Sequence, residues 1–233
     1  MKVDFRGWTI VCQGIGVWRR DLSLCFLSQR TYNPCKSMKS PHQRRVLNNI
    51  IISDALPALE IKVDPAFVFV GILSFVLKEI ALVERFIFVD GQASETTRLF
   101  IVQFEGILDG VDFTYNYRTR NPIILGKQSY HQGVWIYSNA ESVRESPGAE
   151  SDRTTQFLQE RGYIHEDVLA MSRFARIIDD ARRHEIIIFY QETLGSLGLT
   201  LETYSQLPPE KQQDFKNALT ERSLQNFQVT DLG

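Results

Sequence analysis

Residues 81–107 read ALVERFIFVDGQASETTRLFIVQFEGI, two apolar runs separated by a polar stretch that contains glycine. Each run is rich in Val, Ile, Phe and Leu, side chains that suit a pleated and buried surface. Between them, Asp90-Gly91-Gln92 followed by Ser94 supplies turn chemistry. Ala81–Asp90 and Thr97–Ile107 are therefore read as antiparallel neighbours.

Working outward, the same reading extends in both directions. Upstream, Phe67–Leu77 is a long apolar run with Gly71 and Ser74 as bulge or bend points, and Leu59–Val63 is a short alternating run. Downstream, Leu108-Asp109-Gly110 stops the second run, and Phe113–Arg118 and Gly133–Ser138 read as two further strands. Turn signals recur about every ten to fifteen residues, with no intervening helix long enough for a parallel crossover. The implied fold class is α+β, with an antiparallel β-meander, strongly curved or barrel-like in one form, covered by C-terminal helices.

After Tyr137 the pattern changes. Residues 139–152 are polar, with Pro147 and Gly148, and read as an exposed loop. Ser151 or Asp152 caps a helix that runs to about Arg161, with Gly162 as its stop. Val168, Met171, Phe174, Ala175 and Ile178 recur at three- and four-residue spacing, which predicts a helix over His165–Asp180. Asp179-Asp180 and Arg182-Arg183 then read as its solvated C-terminal end. Glu185–Gln191, with Ile186-Ile187-Ile188-Phe189-Tyr190, reads as a strand buried on both faces. A last helix is predicted from about Pro209 to Phe227.

Charge divides the chain of 233 residues. Residues 1–45 hold nine basic and two acidic side chains, and the remainder holds 17 basic and 26 acidic ones. The domain reading is a basic, poorly ordered extension over 1–45, with an upstream start before Met38 as one form of it, and a single α+β domain over 46–233. An organellar presequence and a basic arm for an acidic partner are the competing readings of the head. The net charge of -2 argues against a general nucleic-acid binder.

Cys12, Cys25 and Cys35 lack the paired two-to-four-residue spacing of a zinc framework and read as free thiols. No metal and no cofactor is called for, and the expected compartment is the cytoplasm, or an organelle if the head is a presequence. The 13 uncharged residues Pro65–Leu77 fall short of a membrane span, so the protein is expected to be soluble.

Strict catalytic motifs are missing. Gly14-Ile15-Gly16 lacks the third glycine and the flanking elements of a dinucleotide fingerprint. His42, His131, His165 and His184 are scattered. One constellation stands out. Leu99, Ile101, Gln103 and Glu105 share a strand face, and a register of even parity adds Arg85 to it. Tyr115, Tyr117, His131 and Trp135 contribute aromatic and polar tips nearby.

The expected site is thus a ligand cup lined by Arg85, Glu105, Tyr115, Tyr117, His131 and Trp135, for a small apolar or anionic molecule. Arg85 would hold the anionic group and His131 would be the acid or base near neutral pH. Water-facing strand aromatics account for the same residues without a site. The first function reading is a small-molecule-binding or scaffold domain. A protein–protein interaction module and an enzyme with His131-centred acid–base chemistry, aided by Glu105 or Tyr117, are the alternatives.

Overall fold

A computed structural model describes residues 2–5, 8–11, 43–90, 95–117 and 122–232. The three cysteines, His42, the Gly14-Ile15-Gly16 stretch, Arg118 and the turn residues 91–94 lie outside them. The chain forms two compact units, Met1–Gln43 and Arg44–Gly233. In the first, β1 (Lys2–Phe5) and β2 (Trp8–Val11) pair as an antiparallel hairpin with Phe5 opposite Trp8.

The second unit begins with β3 (Arg44–Leu47), β4 (Ile50–Ser53) and β5 (Leu59–Val63), then β6 (Phe67–Leu77), β7 (Ala81–Asp90) and β8 (Arg98–Ile107). After an irregular segment come β9 (Pro122–Leu125) and β10 (Gln128–Ser138), then α1 (Asn139–Glu145) and α2 (Glu150–Gln159). Next are β11 (Val168–Ile177) and β12 (His184–Thr193). The chain ends in α3 (Leu201–Ser205), α4 (Pro209–Gln225) and β13 (Phe227–Asp231).

All strand pairs of the two sheets are antiparallel. Seven strands run in the order β6-β7-β8-β12-β11-β10-β9, and four in the order β13-β5-β4-β3. Among the described residues β6 and β9 do not pair with each other, so the large sheet is not a closed barrel. It is also two meanders rather than one, because β12 returns to pair with β8. That central position explains why Glu185 to Thr193 are buried without exception. The expected strands Phe67–Leu77 and Ala81–Asp90 stand where the sequence places them.

Gly71 is the bulge. The register shifts between Phe69 and Gly71, whose φ is +147°. A Cβ there would lie 3.2 Å from Phe157 Cζ of α2, so the missing side chain also admits the helix. Ser74 pairs regularly with Glu84 and bends nothing.

Each face of the large sheet has its own core. On one side Phe86, Phe88, Phe100, Val102, Phe104, Phe174 and Ile188 pack against Ile51, Leu59, Ile61 and Val63 of the small sheet and Leu219 of α4. Phe227 joins the two sheets, with ring centroids 5.3 Å from Phe100 and 5.6 Å from Phe174. Each such fully buried aromatic contributes roughly 1.5–3 kcal/mol. On the other side Ile87, Val89, Leu99, Ile101, Ile187 and Phe189 meet Phe157 and Leu158 of α2. Helices therefore lie on both faces, and one of them shares its face with a second sheet.

The helix expected over His165–Asp180 is strand β11. Flanked by β10 and β12, it is buried on both faces and needs a compatible residue at every position. Ala170, Ser172 and Phe174 face one core, while Met171, Arg173 and Ala175 face the other. The three- and four-residue spacing skips Leu169 and Ala170, which are equally buried. Asp179 is accordingly a hairpin residue, accepting from the backbone N–H groups of Arg183 and His184 at 2.9 Å each. The strand expected over Phe113–Arg118 does not form at Phe113–Tyr117, which is irregular, and α1 occupies part of the expected loop 139–152. No helix among the described residues is long and apolar enough to cross a membrane.

Candidate functional site

The face of the large sheet that meets α2 carries a polar band across its central strands. Arg85 of β7 stands opposite Gln103 of β8, the even-parity register that the constellation required. In the next row Glu105 of β8 stands opposite Glu185 of β12. Alternation along β8 keeps Gln103 and Glu105 on this face and gives Val102 and Phe104 to the other.

Above the band, α2 presents Glu150 and Thr154 one helical turn apart, continued by Phe157 and Leu158 on the same stripe. Arg85 Nη2 pairs with Glu150 Oε1 at 2.6 Å, Nη1 donates to Thr154 Oγ1 at 2.6 Å, and Nε donates to Gln103. Gln103 Nε2 donates to Glu150 Oε1 at 2.7 Å and to Glu105. Arg85 is 5% exposed and Gln103 0%, so these two are closed from water and internally bonded, while Glu150 keeps one side to solvent.

Tyr115 and Tyr117 arrive from the irregular segment after β8. The Tyr115 hydroxyl donates to Glu105 Oε2 at 2.8 Å, and that of Tyr117 donates to Glu185 Oε2. Their placement depends on the β11–β12 turn. Arg183 donates to the carbonyls of Val111 at 2.9 Å and Leu108 at 2.8 Å, while Arg182 donates to that of Tyr115 at 2.7 Å. The basic pair is thus a clamp on this segment, not the solvated end of a helix.

Arg173 Nη2 donates to the Tyr117 hydroxyl at 2.9 Å, and the His131 ring lies 5.1 Å from that of Tyr117. Gly133 is directly opposite Arg173, and Trp135 folds back over it. A Cβ at Gly133 would stand 2.3 Å from Trp135 Cη2, so only glycine leaves room for the indole. Tyr117, His131, Trp135 and Arg173 are half-buried and form the rim.

The electrostatics follow from burial. Loss of water raises the Glu105 carboxyl, reinforced by Glu150, and raises Glu185 still further, reinforced by Glu105. Burial also works against Glu150, but Arg85 and Gln103 outweigh it and hold this carboxyl low. The Tyr115 and Tyr117 phenols are pushed up, chiefly by burial. His131 is lowered by burial and by Arg173 and Arg182. The arrangement offers one committed carboxylate, two carboxyls that resist ionisation, and a cationic rim.

The structure therefore gathers Arg85, Glu105, Tyr115, Tyr117 and His131 into one polar band, with Trp135 on the same face at its β10 end. Sequence reading missed Glu150, because 139–152 read as loop, and Thr154, because nothing in its expected helix pointed to Arg85 as a partner. It missed Arg173, because β11 read as a helix, and Glu185, because the pairing of its strand with β8 is not visible in the sequence. Among the described residues no three His, Cys, Asp or Glu side chains are arranged to hold a metal ion. A cleft of about 440 Å³ lies on the opposite side of the central strands, lined by Arg98, Tyr190, Glu192 and Arg222 among others and by none of the six expected site residues.

Comparison with models of known protein families, with curated proteins and with solved structures finds no match.

Proposed function

We propose that the chain is a small-molecule-binding domain whose site is the β10–β11 side of the polar sheet face. The observation that carries this reading is the hydrogen-bonded run Arg173–Tyr117–Glu185, which links a half-buried rim to the buried Glu105–Glu185 pair. Buried ionic groups are often no more stabilising than apolar packing of equal volume. Three carboxyl groups, two guanidinium groups and two phenols gathered between one sheet face and α2 fit recognition better than stability.

The ligand class is a small molecule with an apolar or aromatic body and an anionic or hydrogen-bonding group. Trp135 and Tyr117 offer the stacking surfaces, and Arg173, half-buried at the rim beside Tyr117, replaces the nearly enclosed Arg85 as the residue that meets an anionic group. Native mass spectrometry of the full chain, followed by denaturing analysis of what co-purifies, tests the reading. A retained small molecule that is lost in folded Arg173→Gln and Tyr117→Phe proteins supports it. Retention unchanged in both variants overturns the assignment.

One observation favours acid–base catalysis as a second reading. Two adjacent carboxyls raised by burial, each bonded to a tyrosine hydroxyl, are the kind of groups that serve as proton donors and acceptors. A Glu185→Gln protein that still binds the co-purifying molecule but no longer converts it would favour this reading over simple binding.

A further inference from the structure

The four sheet edges of the second unit differ in how they discourage pairing with another chain. Strand β9 has four residues and opens with Pro122, which lacks a donor. Strand β3 opens with Arg44 and Arg45, and β13 closes with Asp231. These are the usual protections of an edge: shortness, proline and charge. Strand β6 has none of them. It runs for 11 residues, FVFVGILSFVL, without a charged residue or a proline.

Its first part is occupied by the protein itself. Phe67 N–H donates to the Asp64 carbonyl at 3.0 Å, the Phe67 carbonyl accepts from Asn49 Nδ2 at 2.7 Å, and the bulge at Gly71 seats Phe157 of α2. Beyond the bulge, residues 72–76 pair regularly with β7 and, among the described residues, make no hydrogen bond on their outer side. Ile72, Ser74 and Val76 point to one face and are exposed, Ile72 by 43% and Val76 by 44%. Leu82, opposite Val76 on β7, adds a fourth position that is 53% exposed.

This stretch is self-complementary about Ser74. When two copies lie antiparallel with Ser74 opposite Ser74, Ile72 of each faces Val76 of the other, and Lys78 and Glu79 fall outside the paired segment. We propose that a second copy of this chain pairs with β6 at residues 72–76, joining two seven-stranded sheets edge to edge about a two-fold axis. The outward backbone groups require an extended strand as occupant, and the uncharged, nearly palindromic face selects the same segment in another copy. A pair of five-residue strands buries less than the roughly 1,200–2,000 Å² of a standard interface. The dimer is therefore a reversible one whose population follows protein concentration.

Sedimentation velocity of the full chain at concentrations up to on the order of 100 μM is the test. The expected result is a species of twice 26.8 kDa that grows with concentration, and that is lost in Ile72→Lys and Val76→Lys proteins with unchanged melting temperature. Residues directly opposite across an antiparallel pair have Cα atoms about 4.5–5.5 Å apart, within reach of a disulfide. Ser74→Cys is accordingly expected to form a 74–74 link under mild oxidation, identified by peptide mapping apart from the native cysteines. If either lysine protein fails to fold, the 74–74 link decides alone. A chain that stays monomeric, a dimer that survives both lysine substitutions, or a dimer without that link overturns the proposal.

Discussion

Glu105 and Glu185 are direct cross-strand neighbours at the centre of the seven-stranded sheet, 8% and 3% exposed, and each accepts a hydrogen bond from a tyrosine hydroxyl. Two carboxyls held this close in a water-poor layer cannot both ionise cheaply. The tyrosines supply each with a donor, and Arg173 offsets part of the cost. The third carboxylate, Glu150, escapes the problem because Arg85 is its partner.

A pH dependence of stability follows. The native Glu185 carboxyl binds its proton more tightly than the ordinary value of 4.5, so its stabilising contribution is full below that value and declines as pH rises through the raised native value. Glu185→Gln, which mimics the protonated form, should remove part of that decline. Melting temperatures of both proteins between about pH 5 and pH 8 provide the check. An equal or steeper decline in the variant would show that Glu185 is ionised throughout.

How much of this was legible in the sequence depends on what each element needed. Strands Phe67–Leu77 and Ala81–Asp90 were legible because apolar runs bounded by turn chemistry have few other uses. Arg85, Gln103 and Glu105 could be grouped on one face because a strand's period is two, although their register came only with the fold. Strand β11 was not legible. A strand covered on both sides has no polar face, and its Ser172, Arg173 and Arg176 are accommodated by neighbours distant in sequence. Glu150 was hidden for a related reason: its partner Arg85 lies 65 residues away, and nothing local distinguishes it from a loop acid. Strand β13 was hidden as well, since five residues after a helix signal a partner only once β5 is beside them.

Phe174 gives a direct test of how β11 packs against β13. It is 0% exposed and packs against Phe227 with centroids 5.6 Å apart. Phe174→Ala should cost about 3–5 kcal/mol in chemical denaturation, through lost transfer energy and an unfilled cavity. A change within about 0.5 kcal/mol would place this side chain at the surface.

The clamp formed by Arg183 should matter to the site more than to the fold. Its guanidinium holds the Leu108 and Val111 carbonyls, and through them the segment that delivers Tyr115 to Glu105. Arg183→Ala should destabilise the protein by about 1.5–3 kcal/mol, the scale of hydrogen bonds to a charged group. Hydrogen exchange should rise over residues 108–117 while strands β8 and β12 stay protected. Uniformly raised exchange would mean that the turn stabilises the whole sheet rather than this segment.

Gly133→Ala tests the rim itself. Gly133 does not have a left-handed backbone, so alanine brings no strain of that kind, and the whole effect is steric. The added methyl would stand 2.3 Å from Trp135 Cη2, 2.9 Å from Cζ2 and 3.0 Å from Cζ3. The indole, which is the end of a side chain with two rotatable bonds, must swing off the strand. Overpacking of this kind costs about 1–3 kcal/mol where neighbours can adjust, so a cooperative fold is expected to survive. Trp135 emission should shift to the red as the ring becomes wetter, measured against a Trp135→Phe protein that isolates its signal from Trp8 and Trp18. Retention of the co-purifying molecule should fall with it, because the stacking surface opposite Arg173 is gone. Unchanged emission would mean that the indole does not rest on Gly133. A red shift with full retention would leave Trp135 on the sheet face but remove it from the ligand's path.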